Sequence, residues 1–382
     1  MFRLSNLISS AIEDRKTREL NGSILIWNFT NRCNLSCLHC YSKSGLEESD
    51  TLSTEKILSV IPELKKSGIK FVIFSGGEPL TRKDIFEIAE AFKEEGIFTY
   101  LSTNGLYINP GNVKKIIDTF GYIGISIDGS PEIHDKFRGL KGSYEKSMQA
   151  IRLIHSNGAK VGIRFTITKE TKESLKFIFE LAEKENIDKI YISHLVYSGR
   201  GLDNLKMDLS KEERRKAVKF IIEKAFEYYE NEKDIDIVTG NMEMDAIMLI
   251  QEFEKRYPES LDRLTSRLLQ WGGNSAGRKL VNINSEGIVK PDPFFPVSIG
   301  NIFEKSFDEI WLNEKSELLK KLRTFPRDIK GRCKECRFLE ICNGGSRPRA
   351  YAVTGDLWQE DPSCYLKDEE IFENELPEAV GI

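Results

Sequence analysis

The sequence predicts an α/β fold, a partial (β/α)6 barrel followed by a smaller, cysteine-bearing C-terminal domain. Three observations carry that expectation. Between residue 22 and about residue 195, short β-rich runs alternate with helix-length amphipathic stretches. Glycines, cysteines and charged residues gather just after those runs. The seven cysteines fall into two groups, one near each end of the chain.

The β-rich runs are "SILIWNF" (23–29), "KFVIFS" (70–75), "FTYLST" (98–103), "YIGISI" (122–127), "VGIRFTIT" (161–168) and "KIYISHL" (189–195). Between them, stretches such as "STEKILSVIPELKK" and "DIFEIAEAFKEEG" place apolar residues three and four apart, the period of a half-buried helix. Apolar strands alternating with such helices read as a parallel sheet covered by helices, and six repeats make an incomplete TIM-like barrel. Beyond residue 205 the pattern changes. "LSKEERRKAVKFIIEKAFEYYENE" is a helix opened by a capping box, Ser210 with Glu213, and helical character is expected to run to about Gln270. "KLVNINSEGIVK" reads as a hairpin turning near Glu286 and Gly287, and "SFDEIWLNEKSELLKKL" as a short helix leading to the second cysteine group. The expected divisions are an N-terminal extension (1–21), the barrel (22–205), a helical connection (206–270) and the C-terminal domain (271–382).

Bulk properties bound the function. A chain of 382 residues has a prior of about two to three domains and can bury a large core without covalent staples. A formal charge of −4 argues against a general nucleic-acid binder, so an anionic ligand must be met by a local basic patch. No apolar run approaches the roughly 18 residues of a membrane span, and "MFRLSNLISSAIEDRK" is too short and too acidic for a secretory signal. The expected address is the cytoplasm, where thiols stay reduced and clustered cysteines point to metal rather than disulfides.

In a barrel of this kind the chemistry gathers where the βα loops converge, at the C-terminal ends of the strands. "NRCNLSCLHCYS" follows the first strand, "GGEP" the second, "NG" (104–105) the third, "DG" (128–129) the fourth and "HLVYSGRG" the sixth. Cys33, Cys37 and Cys40 are spaced Cys-x3-Cys-x2-Cys. Three thiolates can hold three irons of a [4Fe–4S] cube and leave the fourth open to a ligand that is not protein. A zinc site completed by His39 or by a distant cysteine is the alternative. Cys333, Cys336, Cys342 and Cys364 use all the remaining cysteines, and fit either a complete [4Fe–4S] cluster or a structural zinc site.

The triplet after the first strand and "GGEP" after the second resemble the radical S-adenosylmethionine (SAM) enzymes, in which the methionyl amino and carboxylate groups of SAM chelate the open iron. That resemblance implies that Gly76, Gly77, Glu78 and Pro79 receive the amino end of SAM. It also implies that Ser102, Asn104, Ser126 and Asp128 hold its ribose and carboxylate, with Arg138 or Arg164 pairing with the carboxylate. His39 is expected to shield the cluster. The second cysteine group resembles the C-terminal SPASM extension of these enzymes, which usually carries two auxiliary clusters. Here Asn274 or its neighbours, Asp292 and Ser346 stand where that pattern has cysteine, so the implied complement is two [4Fe–4S] clusters, one binding SAM and one auxiliary.

With "HDKFRGLKGSYE", "HLVYSGRG", "GGNSAGR" and "AVTGDLWQEDPSCYLKDEEI", those departures make the chain similar to the radical SAM enzymes that trim didecarboxysirohaem. The resemblance implies a radical that takes hydrogen from an acetate side chain. It removes both acetates of 12,18-didecarboxysirohaem to give Fe-coproporphyrin III in haem biosynthesis, with an electron donor such as a ferredoxin or flavodoxin. The alternatives are removal of propionates in the haem d1 branch, a peptide-modifying SPASM enzyme, and a non-catalytic zinc-binding protein. The peptide reading is less favoured because only 32 residues precede Cys33. A polycarboxylate tetrapyrrole calls for cations at the mouth of the site, and Arg200, Arg278, Lys279, Arg347 and Arg349 are the candidates. His194, at the end of the sixth run, is a candidate to ligate substrate iron or to act as acid or base.

Overall fold

The computed structural model describes residues 2–15, 22–48 and 50–372. Each of the six β-rich runs forms a strand. β1 (Ser23–Asn28), β2 (Ile69–Ser75), β3 (Phe98–Thr103), β4 (Tyr122–Ser126), β5 (Val161–Ile167) and β6 (Lys189–His194) lie side by side in chain order, all parallel.

The structure adds a seventh parallel strand, β7 (Asp236–Gly240), inside the stretch expected to be helical to Gln270. Its core, Ile237, Val238 and Thr239, is β-branched, which favours a pleated surface. Between the helices Lys211–Glu230 and Asp245–Arg256 it is too short to break the helical pattern, and only pairing with β6 settles it. The hairpin forms as expected, from β8 (Leu280–Ile283) and β9 (Ile288–Lys290), with Gly287 at φ 82° in its turn. β8 also pairs in parallel with β1, so the hairpin and the two-residue β10 (Gly300–Asn301) continue the barrel sheet. The order is β10-β9-β8-β1-β2-β3-β4-β5-β6-β7, and the sheet stays open.

The two faces of this sheet differ in chemistry. On the outer face Trp27 and Phe29 stack at 4.8 Å, Phe29 and Phe74 at 4.4 Å, and all three meet the edge of Phe92 on the helix Ile85–Glu94. The inner face presents Ser75, Ser102, Ser126, Arg164, Thr166, Tyr191 and Ser193 to a cavity, where a closed barrel would pack apolar layers. Near the N-terminus Phe2 pairs with Thr239 through hydrogen bonds of 2.8 and 2.9 Å, which covers the open edge of β7. The helix Leu4–Ile12 then packs against β7 and the helix Leu261–Trp271. Among the described residues no helix is long and apolar enough to cross a membrane.

Truncating a fully buried ring in the aromatic stack leaves a cavity that the sheet cannot collapse. Phe74→Ala is expected to cost about 3–5 kcal/mol in denaturant unfolding. Val353→Ala, at a position 54% exposed, is expected to stay within about 0.5 kcal/mol of the parent.

Candidate functional site

The strand ends open into a cavity of about 440 Å³, and the first cysteine group forms one wall of it. Cys33, Cys37 and Cys40 all line the cavity, Cys33 and Cys37 being buried and Cys40 half-buried. Each sulfur has a polar neighbour: Leu35 N donates to Cys33 Sγ at 3.4 Å, Arg138 Nη1 to Cys37 Sγ at 3.7 Å, and Ser42 Oγ lies 3.4 Å from Cys40 Sγ. Burial pushes the Cys33 thiol up to about 12, so a bound metal rather than solvent must draw off the proton.

The loop that carries these cysteines has almost no secondary structure of its own, and neighbouring loops satisfy its backbone. Gly77 N donates to Thr30 O at 2.7 Å and Glu78 N to Arg32 O at 2.8 Å. A Cβ on Gly76 would collide with Thr30 O, and one on Gly77 with Arg32 O; Gly76 also sits at φ 133°. Gly76 and Gly77 therefore line the cavity because nothing larger fits between the two loops. Glu78 and Pro79 do not line it. The Glu78 carboxylate turns inward and accepts from Leu80 N (3.1 Å), Thr103 Oγ1 (2.8 Å) and Asn104 N (2.8 Å), with burial raising it to about 7. It shapes the loop, and any ligand contact at "GGEP" falls to the two glycines and their backbone.

Ser102, Asn104, Ser126, Arg138 and Arg164 all line the cavity. Asp128 lies behind it, fully buried, with Arg138 Nη2 2.5 Å away and Thr166 N donating at 2.7 Å. Burial raises the Asp128 carboxyl most strongly, but the Arg138 guanidinium, together with the neighbouring histidines and the Thr166 N–H, holds the group below its ordinary value. Arg138 is thus shared between Asp128 and Cys37. Arg164 is different: its guanidinium stacks on the Tyr191 ring at 4.6 Å and makes no hydrogen bond or ion pair among the described residues. Of the two arginines considered for a carboxylate ligand, only Arg164 has its donors free.

Three of the expected substrate cations are consumed by the fold. Arg347 is fully buried and donates to the carbonyls of Gly344, Leu357 and Gln359. Arg349 forms a two-pronged pair with Asp361 at 2.9 and 2.7 Å and reaches Leu195 O. Arg278 caps the helix Leu261–Trp271 through the carbonyls of Trp271 and Gly272. None of the three lines the cavity. Arg200 does line it, but its Nε and Nη1 donate to Cys37 O (2.7 Å) and Ser44 O (3.1 Å), so it braces the cysteine loop. Lys279 lines the cavity and is exposed.

His39 stacks on Phe137 at 4.5 Å, and burial lowers it to about 4, which keeps the ring neutral beside the cysteines. His194 also borders the cavity. Its neighbours on β6, Ile190 and Ile192, are buried on the same alternate face, while Tyr191 and Ser193 line the cavity. Nε2 of His194 lies 3.3 Å from Asp245 Oδ2, and Asp245 Oδ1 accepts from Tyr365 at 3.2 Å, next to Cys364. The Nε2 edge thus points to Asp245, on the helix Asp245–Arg256, while the residue still borders the cavity.

Cys333, Cys336, Cys342 and Cys364 line one small void together with Met244, Leu366 and Ile371. Among the described residues, no three His, Cys, Asp or Glu side chains come close enough to hold a single metal ion. Four thiols around one void supply the four ligands that a cubane cluster or a tetrahedral zinc ion takes. Ser346, at one of the positions where cysteine is missing, accepts from Arg349 N at 3.3 Å and caps the helix Arg347–Thr354.

At the other two positions a polar network stands on the cavity wall. Asn274 Nδ2 donates to Glu243 Oε1 at 3.0 Å, and Asn274 Oδ1 accepts from the buried Arg327 at 3.2 Å. Asp292 lines the cavity beside them. Sequence reasoning missed Glu243 because it follows β7, the strand that was also missed; it missed Arg327, Asp245 and Asp361 because no local motif marks them.

Comparison with known proteins agrees with this geometry. The radical SAM superfamily pattern matches residues 27–182, and that of SPASM, an iron–sulfur cluster-binding domain, matches residues 275–337. The chain is 38% identical over 91% of its length to the Fe-coproporphyrin III synthase of Methanosarcina barkeri, covering 89% of that protein. It is 36% identical over 96% of its length to the pre-heme d1 synthase of Dinoroseobacter shibae, covering 92% of it. Among solved structures, Streptococcus suis SuiB bound to S-adenosylmethionine superposes with a TM-score of 0.70 at 19% identity, over 91% of this chain and 78% of that one. At that identity the likeness concerns the fold.

If each cysteine group holds its own cluster, the two can be removed separately. The Cys33→Ala, Cys37→Ala, Cys40→Ala triple variant, purified without oxygen, is expected to keep about four of the roughly eight irons of the parent. Iron and sulfide analysis reads the loss.

Proposed function

Because the chain belongs to the radical SAM superfamily, and specifically to its haem-pathway enzymes, we propose that it removes the two acetate side chains of 12,18-didecarboxysirohaem to give Fe-coproporphyrin III. The observation that carries this reading is the 38% identity to an Fe-coproporphyrin III synthase along nearly the whole of both chains. The cavity supports it. Its volume lies in the range of small-molecule sites, and Asn274 and Asp292, in the region where the SPASM resemblance implies absent cysteines, line it.

SAM and a [4Fe–4S] cluster, when bound, supply a 5′-deoxyadenosyl radical that abstracts hydrogen; a second, auxiliary cluster belongs to the SPASM domain. The chain's own residues then have assignable tasks. Cys33, Cys37 and Cys40 hold the first cluster, and Cys333, Cys336, Cys342 and Cys364 hold the auxiliary one. Gly76 and Gly77 let the SAM amino group approach backbone, Ser102, Asn104 and Ser126 border its ribose, and Arg164 takes its carboxylate. Arg138 and Arg200 hold the cysteine loop, and His39 keeps water from it. A ferredoxin or flavodoxin is the expected electron donor.

Removal of propionates from the same substrate is the second reading, favoured by the 36% identity to a pre-heme d1 synthase. Anaerobic incubation with SAM, a reductant and didecarboxysirohaem, followed by mass analysis of the pigment, separates the two. Loss of both acetates is the expected result, loss of propionates transfers the chain to the second reading, and an unchanged pigment rejects both. Arg164→Met is expected to weaken SAM binding to the cluster-loaded protein by about tenfold or more, as the loss of a charged hydrogen bond requires. Equilibrium dialysis with labelled SAM checks it.

A further inference from the structure

The three sulfurs of the first cysteine group do not meet the same donors. Cys33 Sγ accepts from Leu35 N at 3.4 Å, and Cys40 Sγ meets the Ser42 hydroxyl at 3.4 Å, which itself lies 2.7 Å from Ser44 Oγ. Both donors are neutral. Cys37 Sγ instead faces a guanidinium, with Arg138 Nη1 donating at 3.7 Å. The contact is buried on both sides, Arg138 being 8% and Cys37 7% exposed.

The rest of that guanidinium is fixed from behind. Nε and Nη2 of Arg138 lie 2.6 and 2.5 Å from Asp128 Oδ2, and Asp128 Oδ1 accepts from Thr166 N at 2.7 Å. A guanidinium is planar and rigid, so pinning two of its nitrogens sets the direction of the third, and Nη1 is aimed at the sulfur. As a pair Arg138 and Asp128 carry no net charge, but the cation touches the sulfur while the carboxylate sits against the opposite edge of the guanidinium. The other charged groups around the three sulfurs are spent elsewhere. Glu78 accepts from Leu80 N, Thr103 and Asn104 N, Arg200 donates to the carbonyls of Cys37 and Ser44, and Arg164 rests on the Tyr191 ring. Burial lowers His39 and His134 to about 4, so both rings are neutral at neutral pH. Among the described residues, Arg138 alone gives these sulfurs a charged hydrogen bond.

A cation and an N–H···S hydrogen bond at a thiolate ligand both favour added electron density on the iron–sulfur group that the thiolate holds, and a dry setting leaves them unscreened. We propose that Arg138, aimed by Asp128, raises the reduction potential of the cluster held by Cys33, Cys37 and Cys40 and so sets how readily it takes an electron from an external one-electron donor. Arg138 acts through Cys37 and not on the substrate, and the Asp128 carboxylate works against it. The inference rests on the first cysteine group holding the SAM-binding cluster and is independent of which substrate side chain leaves.

The test is a potentiometric titration of the anaerobically reconstituted protein, followed by electron paramagnetic resonance. The signal that changes on a later addition of SAM reports the cluster on the first cysteine group, and the auxiliary cluster serves as an internal reference. In Arg138→Met the reduced-to-oxidised ratio of the SAM-responsive cluster at a fixed potential is expected to fall about tenfold, about 59 mV for a one-electron couple. In Asp128→Asn, which keeps the guanidinium and removes its counter-charge, the ratio is expected to rise. The double variant leaves no unpaired buried charge and is expected to titrate below the parent but above Arg138→Met; it replaces Arg138→Met if that variant does not load. Iron and sulfide contents equal to the parent's establish loading. Opposite shifts in the two single variants, with the auxiliary signal unmoved, support the assignment. A parent-like midpoint in loaded Arg138→Met, or in the double variant standing for it, shows that Arg138 only braces the loop and overturns the proposal. Shifts of one sign in both single variants mark a loosened loop and overturn it as well. A parent protein with no SAM-responsive signal overturns the cluster assignment itself.

Discussion

Fifteen residues of nearly structureless backbone, from Asn31 to Gly45, have to be held at the top of a parallel sheet without a ladder of their own. Unpaired carbonyls there would cost as much as lost hydrogen bonds, so each neighbouring loop is recruited to answer them. The "GGEP" loop pairs with Thr30 and Arg32, Arg200 with Cys37, Cys40 and Ser44, and Asn204 with Leu38. Gly199 and Gly201 allow the last of these loops to sit against the carbonyls of Cys40, Tyr41 and Val196. The geometry of three thiols is therefore a property of three loops, and residues that look like ligand contacts are partly the scaffold of the cysteine loop.

The same economy governs the charges. Arg138 and Asp128 are both buried, and the pair is tolerable because Asp128 also accepts from Thr166 N and Arg138 also reaches a sulfur. Arg349 and Asp361 repeat the arrangement between the C-terminal domain and the carbonyl after β6. In each case removing one partner leaves a buried charge, which makes these pairs anchors for the site and poor candidates for ligand binding. Arg164, resting on Tyr191, is the exception among the arginines of the cavity wall, with no hydrogen bond or ion pair among the described residues.

Where the SPASM pattern would place further cysteines, the structure substitutes three separate solutions. Ser346 caps a helix, Asn274 bridges Glu243 to Arg327, and Asp292 stands on the cavity wall. Only the last two line the cavity.

Much of the fold was legible because its signals are local. The six strands of the barrel appeared within a residue or so of the β-rich runs, the capping box at Ser210 and Glu213 formed, and the hairpin turned at Gly287. The cysteine spacing and the glycines of "GGEP" were also readable, because tight backbone approach and thiolate chemistry restrict residue type at fixed offsets. What the chain alone determined was therefore the order of its strands, the loops that carry chemistry and the family to which they belong. Tertiary structure decided the rest: the strand β7, the pairing of β8 with β1, the inward turn of Glu78, the approach of His194 to Asp245, and which arginines are already paired. Those outcomes depend on partners tens to hundreds of residues away, and charge or residue type at one position does not reveal whether a distant carbonyl or carboxylate has already claimed it.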